Sequence, residues 1–266
     1  MRILFVGDIY GKPGRRAASE LIPRLIEEHD IEFTIVNGEN AAGGFGITEN
    51  IGNKLHTYGA DVVTTGNHVW DQKSGISYIV SGKKILRPAN YPVDVGGSGA
   101  QVFMSKSGVP VGVANVMGRT GMRPMDCPFR SGMACAEELR KKTPIIFIDF
   151  HAEATSEKIA FGWYMDGSAS AVIGTHTHVQ TADETILPRG TAYMTDAGMT
   201  GPHNSVIGAQ KEAVIQQFLD RLPTRYEPAT EDVKLCGVII DVDNATGRAQ
   251  NIERLRIDLA PGDGSS

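Results

Sequence analysis

A chain of 266 residues with 41% hydrophobic and 21% charged residues lies outside the disordered and membrane-spanning classes and is long enough to bury a sizeable core. Its 26 Lys+Arg against 31 Asp+Glu leave a net charge of -5, which gives no global attraction for polyanions, so phosphate must be held by local chemistry. Three scattered cysteines, Cys127, Cys135 and Cys236, argue against a disulfide framework, and the apolar start is too short for a signal peptide; together these features predict one cytoplasmic unit over 1–266 with no membrane partner.

Taken in chain order, RILFVGD is a short apolar run ending in Gly-Asp, the pattern of a buried strand that delivers a polar residue at its C-terminal end. GKPGRRAASELIPRLIEEHD follows with a Pro near its start and Ala18, Leu21, Leu25 and Ile26 at helical spacing. The scheme repeats: IEFTIVNGEN is a strand ending in Gly-Glu-Asn, ITENIGNKLHTYGA a helix, and DVVTTGNHVWD a strand ending in Gly-Asn-His. QVFMSKSGVPVGVANVMG reads as a hairpin, TPIIFIDFHAEAT as a strand ending in His151, SASAVIGTHTHV as a strand ending in His176 and His178, and TAYMTDAGMTG as one more. A helix is expected from Ser205 to Leu222, then a closing hairpin around Asn-Ala-Thr-Gly. Residues 117–133, rich in Gly, Pro, Met and Arg, show neither period and are expected to form a loop or lid; the tail APGDGSS is expected to fray.

The polar residues at these strand ends are Asp8, Glu39, Asn40, Asn67, His68, His151, His176 and His178. In open α/β sheets, ligands bind in the crevice beyond the carboxyl ends of the strands, so these groups are candidates for one site. Carboxylates, amides and imidazoles without a thiolate suit iron, manganese, zinc or cobalt. The number of donors exceeds what one ion needs and suggests two ions sharing a bridging carboxylate. Each residue alone has an ordinary reading: Asp8 as a turn former or helix cap and His151 as a core histidine, while GEN by itself carries almost no information. GTHTH carries more weight, because histidines at i and i+2 on extended chain point to the same side. Lys12, Arg15 and the glycine-rich NAAGGFGIT could assist an anion, with surface charge and a flexible turn as their ordinary readings. Trp70, Trp163 and Tyr164 are expected to pack, and His203 to lie in a surface loop.

The ordered series GD, GEN, GNH, H, GTHTH, running from Gly7 to His178, resembles the calcineurin-like metallophosphoesterase superfamily. GDIYGKPGR, VNGENAAGGFGIT, TTGNHVWD, DFHAEATSEK, AVIGTHTHVQTAD and TDAGMTGP further resemble its YmdB-like bacterial phosphodiesterase branch. The fold this implies is α/β, a metallophosphoesterase sandwich of two mixed β-sheets flanked by helices in four αββα layers. Two departures from the superfamily stand out: Tyr10 replaces the histidine of its opening Asp-x-His, and Glu39 stands where an aspartate usually bridges the metals.

Carried over by position, the resemblance implies one metal held by Asp8, Glu39, Asn40 and His178 and a second held by Glu39, Asn67, His151 and His176. The cofactors it implies are two divalent or mixed-valence ions, iron or manganese first and zinc as the remaining option. A water shared by such ions would deprotonate near neutral pH and attack phosphorus, with His68 as general acid; the plainer reading of His68 is a residue that orients a ligand. The implied activity is hydrolysis of a small phosphodiester, with 2′,3′-cyclic nucleotides leading. Phosphomonoesters, RNA ends, and a regulatory protein working through a partner are the alternatives, and self-association into a homo-oligomer is left open.

Overall fold

The computed structural model describes residues 1–260; the expected fraying of 261–266 lies outside the described residues. Strands β1 (Arg2–Val6), β2 (Phe33–Asn37) and β3 (Val62–Thr64) lie parallel and in that order. Their residues are mostly apolar on both faces, as a doubly covered parallel sheet requires. Helix α1 (Gly11–Glu28) crosses from β1 to β2 and buries Ala17, Ala18, Leu21, Ile22 and Leu25, while α2 (Glu49–Thr57) precedes β3. Thr48 caps α2 by accepting the amide of Ile51 at 3.4 Å. A short helix, α3 (Ile76–Ser81), ends on the left-handed Gly82.

The second sheet runs β4 (Ala100–Met104), β5 (Pro110–Met117), β6 (Ile146–His151), β7 (Ala171–Thr175), then β9 (Ala192–Met194) and β8 (Thr185–Ile186) at its far edge. β4–β5 is the expected hairpin, and β5, β6, β7 and β9 are parallel. Helices α4 (Pro128–Arg140) and α5 (Thr155–Met165) cover its outer face. The chain then returns to the first sheet through β10 (Gly201–Pro202), α6 (Lys211–Asp220) and the hairpin β11 (Val233–Val242)–β12 (Ala249–Asp258), with β11 antiparallel beside β1.

Three apolar layers hold the four structural ones together. Ile3, Phe5, Phe33 and Ile35 of the first sheet meet Val113, Phe147 and Ile173 of the second. Phe5 and Phe147 touch across this interface with ring centroids 5.0 Å apart. The helices seal the outer faces, giving the expected αββα order.

Three expectations are corrected. Residues 117–133 are not all loop: irregular chain ends at Cys127, and Pro128, at the first position of α4, starts a helix through the segment that lacked an obvious period. The helix expected from Ser205 begins only at Lys211, because Ile207 and Gly208 take positive φ values of 47° and 103° and turn the chain first. Trp163 does not pack but is 57% exposed, whereas its neighbour Tyr164 leans on Phe129 and Trp70 on Tyr91. No described helix is long and apolar enough to cross a membrane.

Candidate metal centre

Asp8, Glu39, Asn40 and Asn67 follow the C-terminal ends of β1, β2 and β3, and His151, His176 and His178 end or follow β6 and β7, so both sheets deliver donors to one edge. Around His151 Nε2 stand Asn67 Oδ1 at 2.9 Å, Glu39 Oε1 at 3.0 Å and His176 Nδ1 at 3.1 Å. Asn40 Nδ2 lies 3.1 Å from His178 Nε2 and 3.2 Å from Glu39 Oε1, which ties the second histidine to the same carboxylate. Asp8 Oδ2 accepts the amide of His176 at 3.1 Å, and its Oδ1 is 4.0 Å from the His151 ring. Seven of the eight residues singled out from sequence therefore converge.

The histidines are oriented from behind. His178 Nδ1 donates to the carbonyl of Ile207 at 2.8 Å, which leaves Nε2 with its lone pair toward Asn40. His151 Nδ1 donates to Thr175 Oγ1 at 2.8 Å, Thr175 donates to Asp149 Oδ1 at 2.7 Å, and Asp149 Oδ2 also takes hydrogen bonds from Asn37 and Thr64. Burial raises the Asp149 pKa to about 6, against the hydrogen bonds that favour its charge.

His176 and His178 are not on extended chain. They follow the end of β7 with φ of 100° and 66°, a backbone region that costs a non-glycine residue about 1–3 kcal/mol. The turn is held by a buried ion pair: Lys158 Nζ donates to Asp196 Oδ2 at 2.5 Å and to the Thr175 carbonyl at 2.7 Å. The same Asp196 oxygen accepts Thr177 N at 3.1 Å and Thr177 Oγ1 at 2.8 Å, while Oδ1 accepts Gly198 N. Both charged side chains are only 1% exposed.

The cluster fits a divalent cation. Asp8 Oδ1 is buried with no hydrogen-bond donor among the described residues, and burial raises the Asp8 pKa despite the nearby imidazoles. Around Glu39, burial opposes charge, but the His151 charge and hydrogen bond win and lower its pKa to about 2. Burial likewise opposes the His151 imidazolium, and Glu39 overrides it to raise that pKa to about 9; burial and the adjacent His151 push His176 down to about 3. Donor atoms of Glu39, His151 and His176 all lie within 4.8 Å of one another, and a positive ion among them would let each keep its charged or lone-pair form. Gly66 makes the approach possible, because a Cβ there would overlap both Glu39 Oε2 and the His151 ring.

His68 stands apart from the donors. Its amide holds Glu39 Oε2 at 3.1 Å, while its ring Nδ1 meets Asp71 Oδ2 at 2.7 Å and its edge faces Phe45. Tyr10, in the place of the superfamily's histidine, packs edge-on against His178 with centroids 5.6 Å apart and is buried between Gly44 and Gly208. Lys12 and Arg15 do not line the cavity at the site, and Arg15 instead donates to the Ala41 carbonyl. His203 bonds to its own turn through the Gly201 carbonyl at 3.0 Å, outside the cluster.

A cavity of about 370 Å³ opens over the donors and is lined by Glu39, Asn40, His68, His176 and His178. Its apolar lining comes from Phe45, Val206, Ile207, Val214, Phe218 and Tyr226, none of which stands out in the sequence. Asp149, Lys158 and Asp196 are likewise absent from the residues that sequence reasoning selects. Asp149 carries a usable signal, since an aspartate two residues before His151 in an otherwise apolar strand shares its face. Lys158 and Asp196 belong to different elements, and only the fold pairs them.

Comparison with known proteins finds relatives along nearly the whole chain. A protein from Bacillus subtilis (strain 168) named "2',3'-cyclic-nucleotide 2'-phosphodiesterase" is 50% identical over 257 residues, covering 97% of each chain. A crystal structure of a hypothetical protein from Thermus thermophilus superposes with a TM-score of 0.90 at 38% identity, over 97% of this chain and 99% of the other. A Mycoplasma pneumoniae structure described as a novel phosphatase gives a TM-score of 0.90 at 33% identity, over 97% and 93%. The family model described as "YmdB-like protein" matches residues 4–255. With nearly the whole described chain covered and the donors clustered at the strand ends, the protein belongs to the YmdB-like family.

Proposed function

We propose that this chain is a metal-dependent phosphodiesterase that hydrolyses small phosphodiesters, with nucleoside 2′,3′-cyclic phosphates as its substrates. The observation that carries the reading is the cluster at His151 Nε2, where Glu39, Asn67 and His176 present acceptor atoms within 3.1 Å, beside an Asp8 oxygen that no donor among the described residues satisfies. Such a set favours cations over any neutral arrangement. The name of the half-identical Bacillus subtilis relative supports the substrate class.

In this reading Asp8, Glu39, Asn40 and His178 would hold one ion, and Glu39, Asn67, His151 and His176 would hold the other. Iron or manganese suits these donors best, and zinc is the alternative. Bound there, two such ions supply Lewis-acid polarisation of the phosphoryl group and an acidified water as nucleophile. The protein supplies orientation and proton transfer. With Nδ1 engaged by the Ile207 carbonyl and by Thr175, Nε2 is the nitrogen that His178 and His151 would turn to an ion. His68, its Nδ1 held on Asp71 Oδ2, turns Nε2 outward as the group that passes a proton to the departing ribose oxygen, and Asp71 fixes the ring's orientation. A cytoplasmic setting and a single working unit over 1–266 belong to the same reading.

Turnover of 2′,3′-cyclic AMP, 5′-AMP and a short RNA by the purified, metal-loaded chain tests it. Hydrolysis of the cyclic diester alone is expected. Cleavage of the monoester alone would replace it with a phosphatase, and cleavage of the RNA alone with a nuclease.

A further inference from the structure

The cavity over the metal donors has two kinds of lining, and one of them has a composition that phosphate chemistry does not call for. Phe45, Ile207, Val214, Phe218 and Tyr226 make up that apolar wall. Large apolar side chains seldom remain open to solvent at a cavity mouth without a ligand to cover them. Here Phe45 is 39%, Ile207 56% and Phe218 68% exposed. Among the described residues the lining holds no lysine or arginine, and Glu39 is its one carboxylate.

We propose that Phe45, Phe218 and Tyr226 form a nucleobase site that receives the base of a nucleoside cyclic phosphate while the ester sits over the metal donors. The proposal rests on the phosphodiesterase reading above and assigns the part of the substrate that reading leaves unbound. Three observations carry it. First, the apolar wall and the donors share one cavity: Phe45 stands edge to face on His68 at 5.0 Å, and the Ile207 carbonyl accepts from His178, so the wall is built directly onto the reacting groups.

Second, the volume of about 370 Å³ lies near the lower end of small-molecule pockets, which run from about 300 to 1,000 Å³. That suits one mononucleotide better than a length of RNA. Third, the charges agree. A base is neutral with two π faces, which aromatic side chains accept, whereas a second phosphate against this wall would find no cation among the lining residues. Arg221 lies with its guanidinium carbon 6.0 Å from the Phe218 ring centroid, outside the lining, where it steadies the ring. With only the Tyr10 and Tyr226 hydroxyls added to aromatic and aliphatic surface, the site distinguishes a base from no base but discriminates weakly between bases.

The test compares kcat/KM of the metal-loaded full chain for 2′,3′-cyclic AMP with that for glycerol 1,2-cyclic phosphate, which has the same five-membered ester and no base. The wild type should favour the nucleotide by about tenfold or more, the size of one base-stacking contact. Phe218→Ala and Phe45→Ala should each cut that ratio by about tenfold, and Phe218→Trp should preserve it. Phe218 is exposed enough that its truncation leaves the core intact. The ratio of dissociation constants for inorganic phosphate and 3′-AMP, measured by calorimetry, reads the same site without turnover. A wild type that handles both esters alike, or alanine variants that shift neither ratio by more than about twofold, would overturn the nucleobase site. If the wild type cleaves neither ester but binds 3′-AMP more tightly than phosphate, and the variants remove that preference, the nucleobase site stands and the phosphodiesterase reading falls.

Discussion

The two sheets contribute unlike halves to the candidate centre. The first supplies only oxygen-bearing side chains, Asp8, Glu39, Asn40 and Asn67, from loops that leave parallel strands. The second supplies only imidazoles, His151, His176 and His178. Their supports differ as well. The oxygen side depends on space, with Gly66 giving room for Glu39 and the His151 ring to meet. The nitrogen side depends on restraint, with two histidines in left-handed backbone pinned by Lys158 and Asp196 and a third ring fixed through Thr175 and Asp149. The difference shows how a hard and a borderline donor set can be brought together without either sheet altering its regular core.

Changes that strike the oxygen side at its shared member should have the largest effect. Glu39→Gln removes the charge common to both proposed ion sites, and kcat/KM should fall by about 10³-fold or more with loss of both ions by elemental analysis. Lys158→Met attacks the nitrogen side by leaving Asp196 buried and unpaired, at a cost of about 3–5 kcal/mol in urea denaturation. The double variant Lys158→Met with Asp196→Leu should recover much of that stability but not metal binding, because the turn at His176 and His178 stays unpinned.

The two halves also meet in a proton. The Glu39–His151 pair holds the imidazolium up to about pH 9, and His151 can act as a ligand only when neutral. Mn²⁺ binding should therefore release about one proton, and its affinity should rise about tenfold per pH unit below pH 9. The raised His151 pKa contributes stability to the ion-free protein that is fully present below the unfolded histidine pKa of about 6.5 and is lost as pH rises through about 9. The smallest effect concerns orientation: Asp71→Asn keeps every proposed metal donor and should lower kcat about tenfold, with metal content unchanged.

The oxygen side is more legible in the sequence than the nitrogen side. Glycine followed by a carboxylate or amide after an apolar run marks a strand end directly, so Asp8, Glu39, Asn40 and Asn67 can be located without the fold. His176 and His178 are legible as donors, but their backbone is not. Spacing at i and i+2 suggests extended chain, and nothing local announces a left-handed turn whose hydrogen bonds come from Lys158 on α5 and Asp196 beyond β9. The apolar wall of the cavity is hidden for a related reason. Phe45, Ile207 and Phe218 come from three separate segments, and each alone is an ordinary apolar residue until the fold leaves it uncovered.

The central claim, that oxygen and nitrogen donors from two sheets hold two ions joined by Glu39, is tested most directly by metal stoichiometry in single-donor variants. Elemental analysis of the folded protein loaded with Mn²⁺ should give two ions per chain, one in His178→Ala, one in Asn67→Ala and none in Glu39→Gln. One ion in the wild type, or loss of both ions from His178→Ala with the fold intact by circular dichroism, would contradict it.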